Sequence, residues 1–140
     1  MGPPPDWPHR FISSYASSHP WEDWAESWAH YLHIRSTLET IASYRLDTQS
    51  VDLRVIPFGP ESLHAGTADG SGATFLGWIN AWVVLTTVMN ETARSMGQPD
   101  IYPFVMNRSV VTKLHFVHRV ITRDDPAAIG PVPAQLFVPG

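Results

Sequence analysis

Cysteine is absent from this chain of 140 residues. It can therefore form neither a disulfide framework nor a thiolate zinc site, and any metal it holds falls to His, Asp, Glu or water. A reducing cytoplasm suits such a composition. Basic residues are few: nine Lys and Arg lie scattered within a net charge of −4. They form no positive stripe that would neutralise phosphates or anionic lipid, so neither nucleic acid nor a membrane is an expected partner. Long apolar runs are also lacking. The longest, Leu76 to Met89, is interrupted by Gly77 and Asn80; it is too short to cross a bilayer comfortably and reads as a buried helix. The opening MGPPPDWPHR has neither the basic start nor the apolar run of a signal peptide. No internal repeat is visible.

What is present is a 44% apolar composition with six Trp, enough to bury one modest core. The expected architecture is all-α, a single helical domain over residues 1–123 with about four helices. A Pro- and Gly-rich tail over 124–140 is expected to be disordered. The first helix is predicted over about Trp7 to Ser17, with Asp6 as N-cap and Pro8 in the first turn, where a missing N–H costs little. The second begins at His19-Pro20 and runs to about Tyr44, because Pro suits the first helical position and Glu22 and Asp23 complement the positive end of the helix dipole. At 100° per residue, Trp21, Trp24, Ala25, Trp28, Tyr31 and Leu32 share one broad face, which is expected to be core.

A loop of about residues 45–74 follows, rich in Gly, Ser, Asp and Pro. It is either a functional flap or simply mobile, and the alternating patch Val51 to Val55 within it suits a short strand. The third helix is predicted over Phe75 to Met96, with Trp78, Trp82, Leu85 and Met89 on one face. Gly97 ends it and Pro99 prevents its continuation. A fourth, Ser109 to Thr122, sets Val110, Leu114, Val117 and Ile121 on one face.

Candidate chemistry concentrates on the second helix. Glu22, Glu26, His30 and His33 fall within about 80° of one another on the face away from the tryptophans. Two readings of this cluster stand. Its side chains converge on a cation, or they are simply the solvated face that a helix burying Trp must present. Glu22 has a further reading, reaching back to the His19 N–H as a capping box. His115 and His118 share i, i+3 spacing without a carboxylate between them, which favours a surface or packing role. Asn90 and Arg94, one turn apart, suit a buried network that braces the following turn.

The strings HPWEDWAESWAHYLHIRSTLETIASYRL, RSMGQPDIYPFV and KLHFVH resemble a bacterial family of zinc-binding metallopeptidases, over about Pro4 to Ile121. Glu22-Asp23-Trp24-Ala25-Glu26 is also similar to the helix that supplies the third zinc ligand in peptidases of the anthrax lethal factor type. The resemblance implies that Glu22 is that ligand, that Glu26 orients a group bound to the metal, and that His30 and His33 line the cleft. It further implies that Tyr15, seven residues before Glu22, donates to the developing oxyanion; a packing role for Tyr15 stays equally open. Peptide or protein is the implied substrate and zinc the implied cofactor.

Complete members carry an H-E-x-x-H helix, in which two histidines bind zinc and the glutamate activates water. None of the seven histidines here is followed by Glu and then, two residues on, by His. The expectation is a C-terminal portion of a metallopeptidase, inactive alone and not holding zinc stably. The rival expectation is a non-enzymatic helical module whose former active-site face binds a partner. A third is a new metal site built from Glu22, Glu26, His30 and His33 alone.

Overall fold

A computed structural model describes residues 2–53, 58–64 and 70–124. Three α-helices carry the fold: α1 over Pro20–Ser43, α2 over Gly70–Ser95 and α3 over Arg108–Asp124. Short 3-10 turns occupy Trp7–His9, Ala16–Ser18 and Pro60–Ser62, and the described residues contain no strand. The all-helical architecture is as the sequence implied. The strand patch is coil over Val51–Leu53, and Arg54 and Val55 lie outside the described residues, as does the predicted tail beyond Asp124.

The first expected helix is two separate 3-10 turns rather than one α-helix. Its backbone is held by tertiary contacts instead. The Asn107 side chain donates to the Pro8 carbonyl at 2.7 Å, and the Val105 N–H donates to the Ile12 carbonyl at 3.0 Å. The same Asn107 caps α3, its Oδ1 accepting from the Val110 N–H at 2.9 Å. One side chain thus starts α3 and fastens the N-terminal segment, which buries Ile12 and Ala16 in the core.

α1 starts as predicted. His19 is the N-cap, with its Nδ1 accepting from the Trp21 N–H at 3.1 Å, and Pro20 opens the helix. Both α1 and α2 end in the same motif. Arg45 at φ +56° and Gly97 at φ +73° are left-handed. In each case the N–H groups of that residue and the next close back on the final turn, Arg45 to Ala42 and Leu46 to Ile41, Gly97 to Arg94 and Gln98 to Ala93.

α2 begins five residues earlier than predicted, at Gly70 rather than Phe75. Gly70-Ser71-Gly72-Ala73-Thr74 has little helix propensity and reads as loop, but tertiary packing overrides it. Gly72 is buried, and the Ser71 hydroxyl lies 3.2 Å from Nε2 of His118 on α3. Among the described residues α2 is the one helix long and apolar enough to cross a membrane. Its Phe75, Leu76, Trp78, Ile79, Ala81 and Trp82 are instead packed into the helical core.

That core combines these side chains with Tyr31, Ile34, Leu38 and Ile41 of α1 and Val110, Val111, Leu114 and Val117 of α3. Each large apolar side chain fully removed from water contributes about 1.5–3 kcal/mol before the cost of ordering it. The core stripe of α1 differs from the expectation. Tyr31 is buried and Trp28 packs against the core as expected, but Trp21, Trp24 and Leu32 are 70%, 52% and 52% exposed and Ala25 is exposed too, while Ser27 and His30 are buried in their place. α1 is apolar on two sides, and the side that packs inward is the one continued by Ile34, Leu38 and Ile41.

His115 and His118 are packing residues. Both rings are buried against Phe75. Nδ1 of His118 lies 2.9 Å from the Tyr31 hydroxyl, and Nδ1 of His115 accepts from the His64 N–H at 2.9 Å. Lys113 ties α3 to α1 through Asp23 at 2.8 Å.

A candidate metal-ligand cleft on helix α1

Helical spacing brings Glu22, Glu26, His30 and His33 onto one side of α1, and the turn Ala16–Ser18 folds Tyr15 back beside the first of them. All five line one cavity of about 690 Å³. Its other walls come from α2, through Trp82 and Met89, and from the segment between α2 and α3, through Ile101, Tyr102 and Phe104. The cleft is acidic at one end and aromatic at the other.

Glu22 is half-buried, at the third position of α1. It faces the cavity and meets Tyr15, whose hydroxyl it holds protonated above the ordinary phenol range by hydrogen bonding, with burial and the Glu26 charge adding to the effect. The side-chain cap of α1 is the His19 ring, which accepts from the Trp21 N–H at 3.1 Å.

His30 is buried rather than solvated. Its Nε2 lies 3.0 Å from the Glu26 carboxylate and its Nδ1 2.8 Å from the Tyr102 hydroxyl. A carboxylate only accepts, so Nε2 carries the proton and Nδ1 accepts from the phenol. Desolvation pushes its pKa down, with Glu26 opposing. The ring also meets Phe104 edge-on at 4.5 Å between centroids. Glu26 is thereby fixed at the cavity wall by a histidine that is fixed in turn. His33 is exposed on the outer rim, its ring 6.5 Å from that of His30.

Tyr102 is the participant that sequence reasoning missed. Asp100-Ile101-Tyr102-Pro103 reads only as a turn, and nothing in its spacing points 72 residues back to His30. The turn is braced as expected, with the Asn90 amide donating to the Tyr102 carbonyl and accepting from its N–H, both at 2.9 Å. Arg94 grips Asp100 through two nitrogens at 2.6 and 2.7 Å, and Glu91 at 2.6 Å. This part of the network is exposed rather than buried.

Among the described residues, no three His, Asp or Glu side chains are grouped so as to hold a metal ion. With both His30 nitrogens engaged, the four-residue site on α1 alone is not formed. Glu22 lines the cavity, and the described residues do not make a complete zinc set.

Two mycobacterial relatives are similar over most of the chain. Uncharacterized protein Rv2568c of Mycobacterium tuberculosis and uncharacterized protein Mb2598c of Mycobacterium bovis are each 38% identical over 125 residues, covering 89% of this chain. The match takes in 33% of each relative, so the chain spans about a third of their length. No solved structure matches it. A family model matches residues 1–120, and the chain belongs to the family that this model describes as putative zinc-binding metallo-peptidase.

Proposed function

We propose that this chain is the part of a zinc metallopeptidase that supplies the third metal ligand, Glu22, and one wall of a peptide-binding cleft, and that it does not hydrolyse peptides alone. The observation that carries this reading is the convergence of Tyr15, Glu22, Glu26, His30 and His33 on one cavity. Four of these come from one helix and one from the preceding turn. A carboxylate completing a set of two histidines leaves a fourth position for water, which is the arrangement hydrolytic zinc sites use. Zinc held by such a set would activate water for attack.

The residues of this chain have supporting parts. Glu26, held by His30, which Tyr102 holds in turn, would orient a group on the metal through a hydrogen bond. Tyr15 stays protonated beside Glu22, the form that donates to an oxyanion. This sequence contains no H-E-x-x-H motif, so no general base, no histidine ligand pair and no hydrolytic step is assigned to the chain itself.

Metal analysis of the purified chain, with a general peptidase assay, tests the reading: less than stoichiometric zinc and no turnover are expected. Tight stoichiometric zinc that is lost in Glu22→Ala but kept in His115→Ala would sink it. A non-enzymatic binding role is favoured by one observation, the exposure of Trp21 and Trp24. Stable association with a partner in the absence of any metal would support it.

A further inference from the structure

A second cavity, of about 680 Å³, opens between the start of α2 and the last turns of α3. It shares no lining residue with the Glu22 cleft, and its size falls within the roughly 300–1,000 Å³ of small-molecule sites. In a chain of net charge −4 its sign is unusual: Arg119, Arg123 and His118 line it, and no Asp or Glu does among the described residues. Arg119 and Arg123 stand one turn apart on α3, where like charges repel. Both are exposed, and neither takes part in an ion pair among the described residues. An anion held between them removes that repulsion.

The other polar groups of the lining are set to donate. Burial pushes the Tyr31 phenol up to about 12, with the charge and hydrogen bond of Arg35 opposing. A guanidinium only donates, so the phenol oxygen accepts from Arg35 and its own proton goes to Nδ1 of His118, 2.9 Å away. Nε2 of His118 then carries a proton and donates to the Ser71 hydroxyl at 3.2 Å. This leaves the proton of Ser71, which is exposed at the cavity, for a ligand. The Thr74 and Thr122 hydroxyls donate within their own helices, to the Gly70 and His118 carbonyls. Trp78 lines the same cavity at 2% exposure, and its indole N–H has no hydrogen-bond partner among the described residues. A buried donor without an acceptor is the kind of group that a bound anion or ordered water satisfies.

We infer that this cavity binds a small organic phosphate, with Arg119 and Arg123 gripping the phosphate, Ser71 donating to it, and Phe116 supporting an apolar body. Donors from three side chains on two helices suit the three oxygens of a phosphate better than the two of a carboxylate. Phe116 is 43% exposed beside Val120 at 39%, and its ring is set edge-on against His64 at 5.3 Å between centroids. The wall next to the arginines is therefore apolar and held in place. Two arginines on one small cavity make no stripe for a nucleic-acid backbone. The site does not depend on the reading of Glu22 as a zinc ligand.

The test is a titration of the purified chain with phenyl phosphate at constant ionic strength, followed by nitrogen and proton NMR of the backbone and the arginine side chains. Saturable one-to-one binding is expected, with the largest shifts at Ser71, Arg119 and Arg123. Inorganic phosphate is expected to shift the same residues but to bind about tenfold more weakly, because it leaves Phe116 uncovered. The double variant Arg119→Gln, Arg123→Gln is expected to weaken phenyl phosphate by about tenfold or more, with helicity by circular dichroism unchanged, since both side chains are exposed. Arg10→Gln, which changes an arginine outside the cavity, is expected to leave binding as it was. Shifts that never saturate, or a double variant that binds as well as the parent, would overturn the site. An equal loss in Arg10→Gln would reduce the effect to general charge and overturn it too. Benzoate bound as tightly as phenyl phosphate would uphold an anion cavity and overturn the assignment of its ligand as a phosphate.

Discussion

The hydroxyl of Tyr102 lies 2.8 Å from Nδ1 of His30, across 72 residues of sequence. This bond joins the segment after α2 to the middle of α1 and closes a chain that runs from Glu26 through His30 to Tyr102. Asn90 then holds the Tyr102 backbone by two hydrogen bonds. A carboxylate on the cavity wall is thus anchored through three side chains to α2.

Removing the phenol leaves a buried imidazole nitrogen without its donor. Tyr102→Phe is expected to destabilise the chain by about 1–3 kcal/mol, the cost of an unsatisfied buried acceptor. Urea unfolding followed by circular dichroism measures it. An unchanged midpoint would mean that the His30 bond to Tyr102 contributes nothing.

The proton on His30 gives a pH signature. Burial disfavours the imidazolium and His33 adds to this, while Glu26 opposes; the net effect places the pKa below its ordinary value of 6.5. The unfolded chain therefore takes up this proton at a higher pH than the folded one. Its contribution to stability is whole above about pH 6.5 and is lost as pH falls from there through the folded-state value. Nitrogen NMR of labelled histidine should show His30 as the Nε2-protonated neutral ring at pH 7, half-titrated below 6.5, and lower still in Glu26→Gln. Titration at or above 6.5 would contradict the burial of the ring.

Tyr15 and Glu22 report on each other. The Glu22 carboxylate raises the Tyr15 phenol above its ordinary range, so Glu22→Gln should bring it back down. Ring-carbon NMR of labelled tyrosine follows the shift directly. A Tyr15 titration indifferent to Glu22 would separate the two residues and remove the donor role proposed for the phenol.

The helix ends offer a matched pair. Arg45 and Gly97 occupy the same left-handed position after α1 and α2. A side chain at Gly97 meets no atom within 4 Å, so Gly97→Ala pays only the backbone penalty and should cost about 1 kcal/mol. Arg45→Gly relieves the same penalty at some entropic cost and should stabilise by a few tenths of a kcal/mol. Opposite signs in thermal melts confirm the assignment, and equal signs contradict it.

Local signals made much of this fold legible. His19-Pro20 opens α1, Gly97 closes α2, and the spacing of Val110, Leu114 and Val117 marks the buried side of α3. The same periodicity served α1 only in part: Tyr31 and Trp28 pack inward, but Trp21, Trp24 and Leu32 are exposed, because an apolar stripe reads alike whether it lies inside or at the surface. Tyr31, Ile34 and Leu38 decide the inward side, and that choice depends on α2 and α3. Clustering of Glu22, Glu26, His30 and His33 followed from helical spacing, whereas Tyr15 entered only through the family resemblance. The burial of His30 did not, since a histidine reads as polar until the partners that satisfy it, Glu26 and a distant Tyr102, are known.

The central claim is that Glu22 is one ligand of a zinc site completed by other polypeptide. Zinc content, measured by elemental analysis on the purified chain and on its Glu22→Ala variant, tests it most directly. Much less than one zinc per chain is expected, with Glu22→Ala lowering whatever weak binding remains. One tightly held zinc on the chain, or residual binding indifferent to Glu22→Ala, would contradict it.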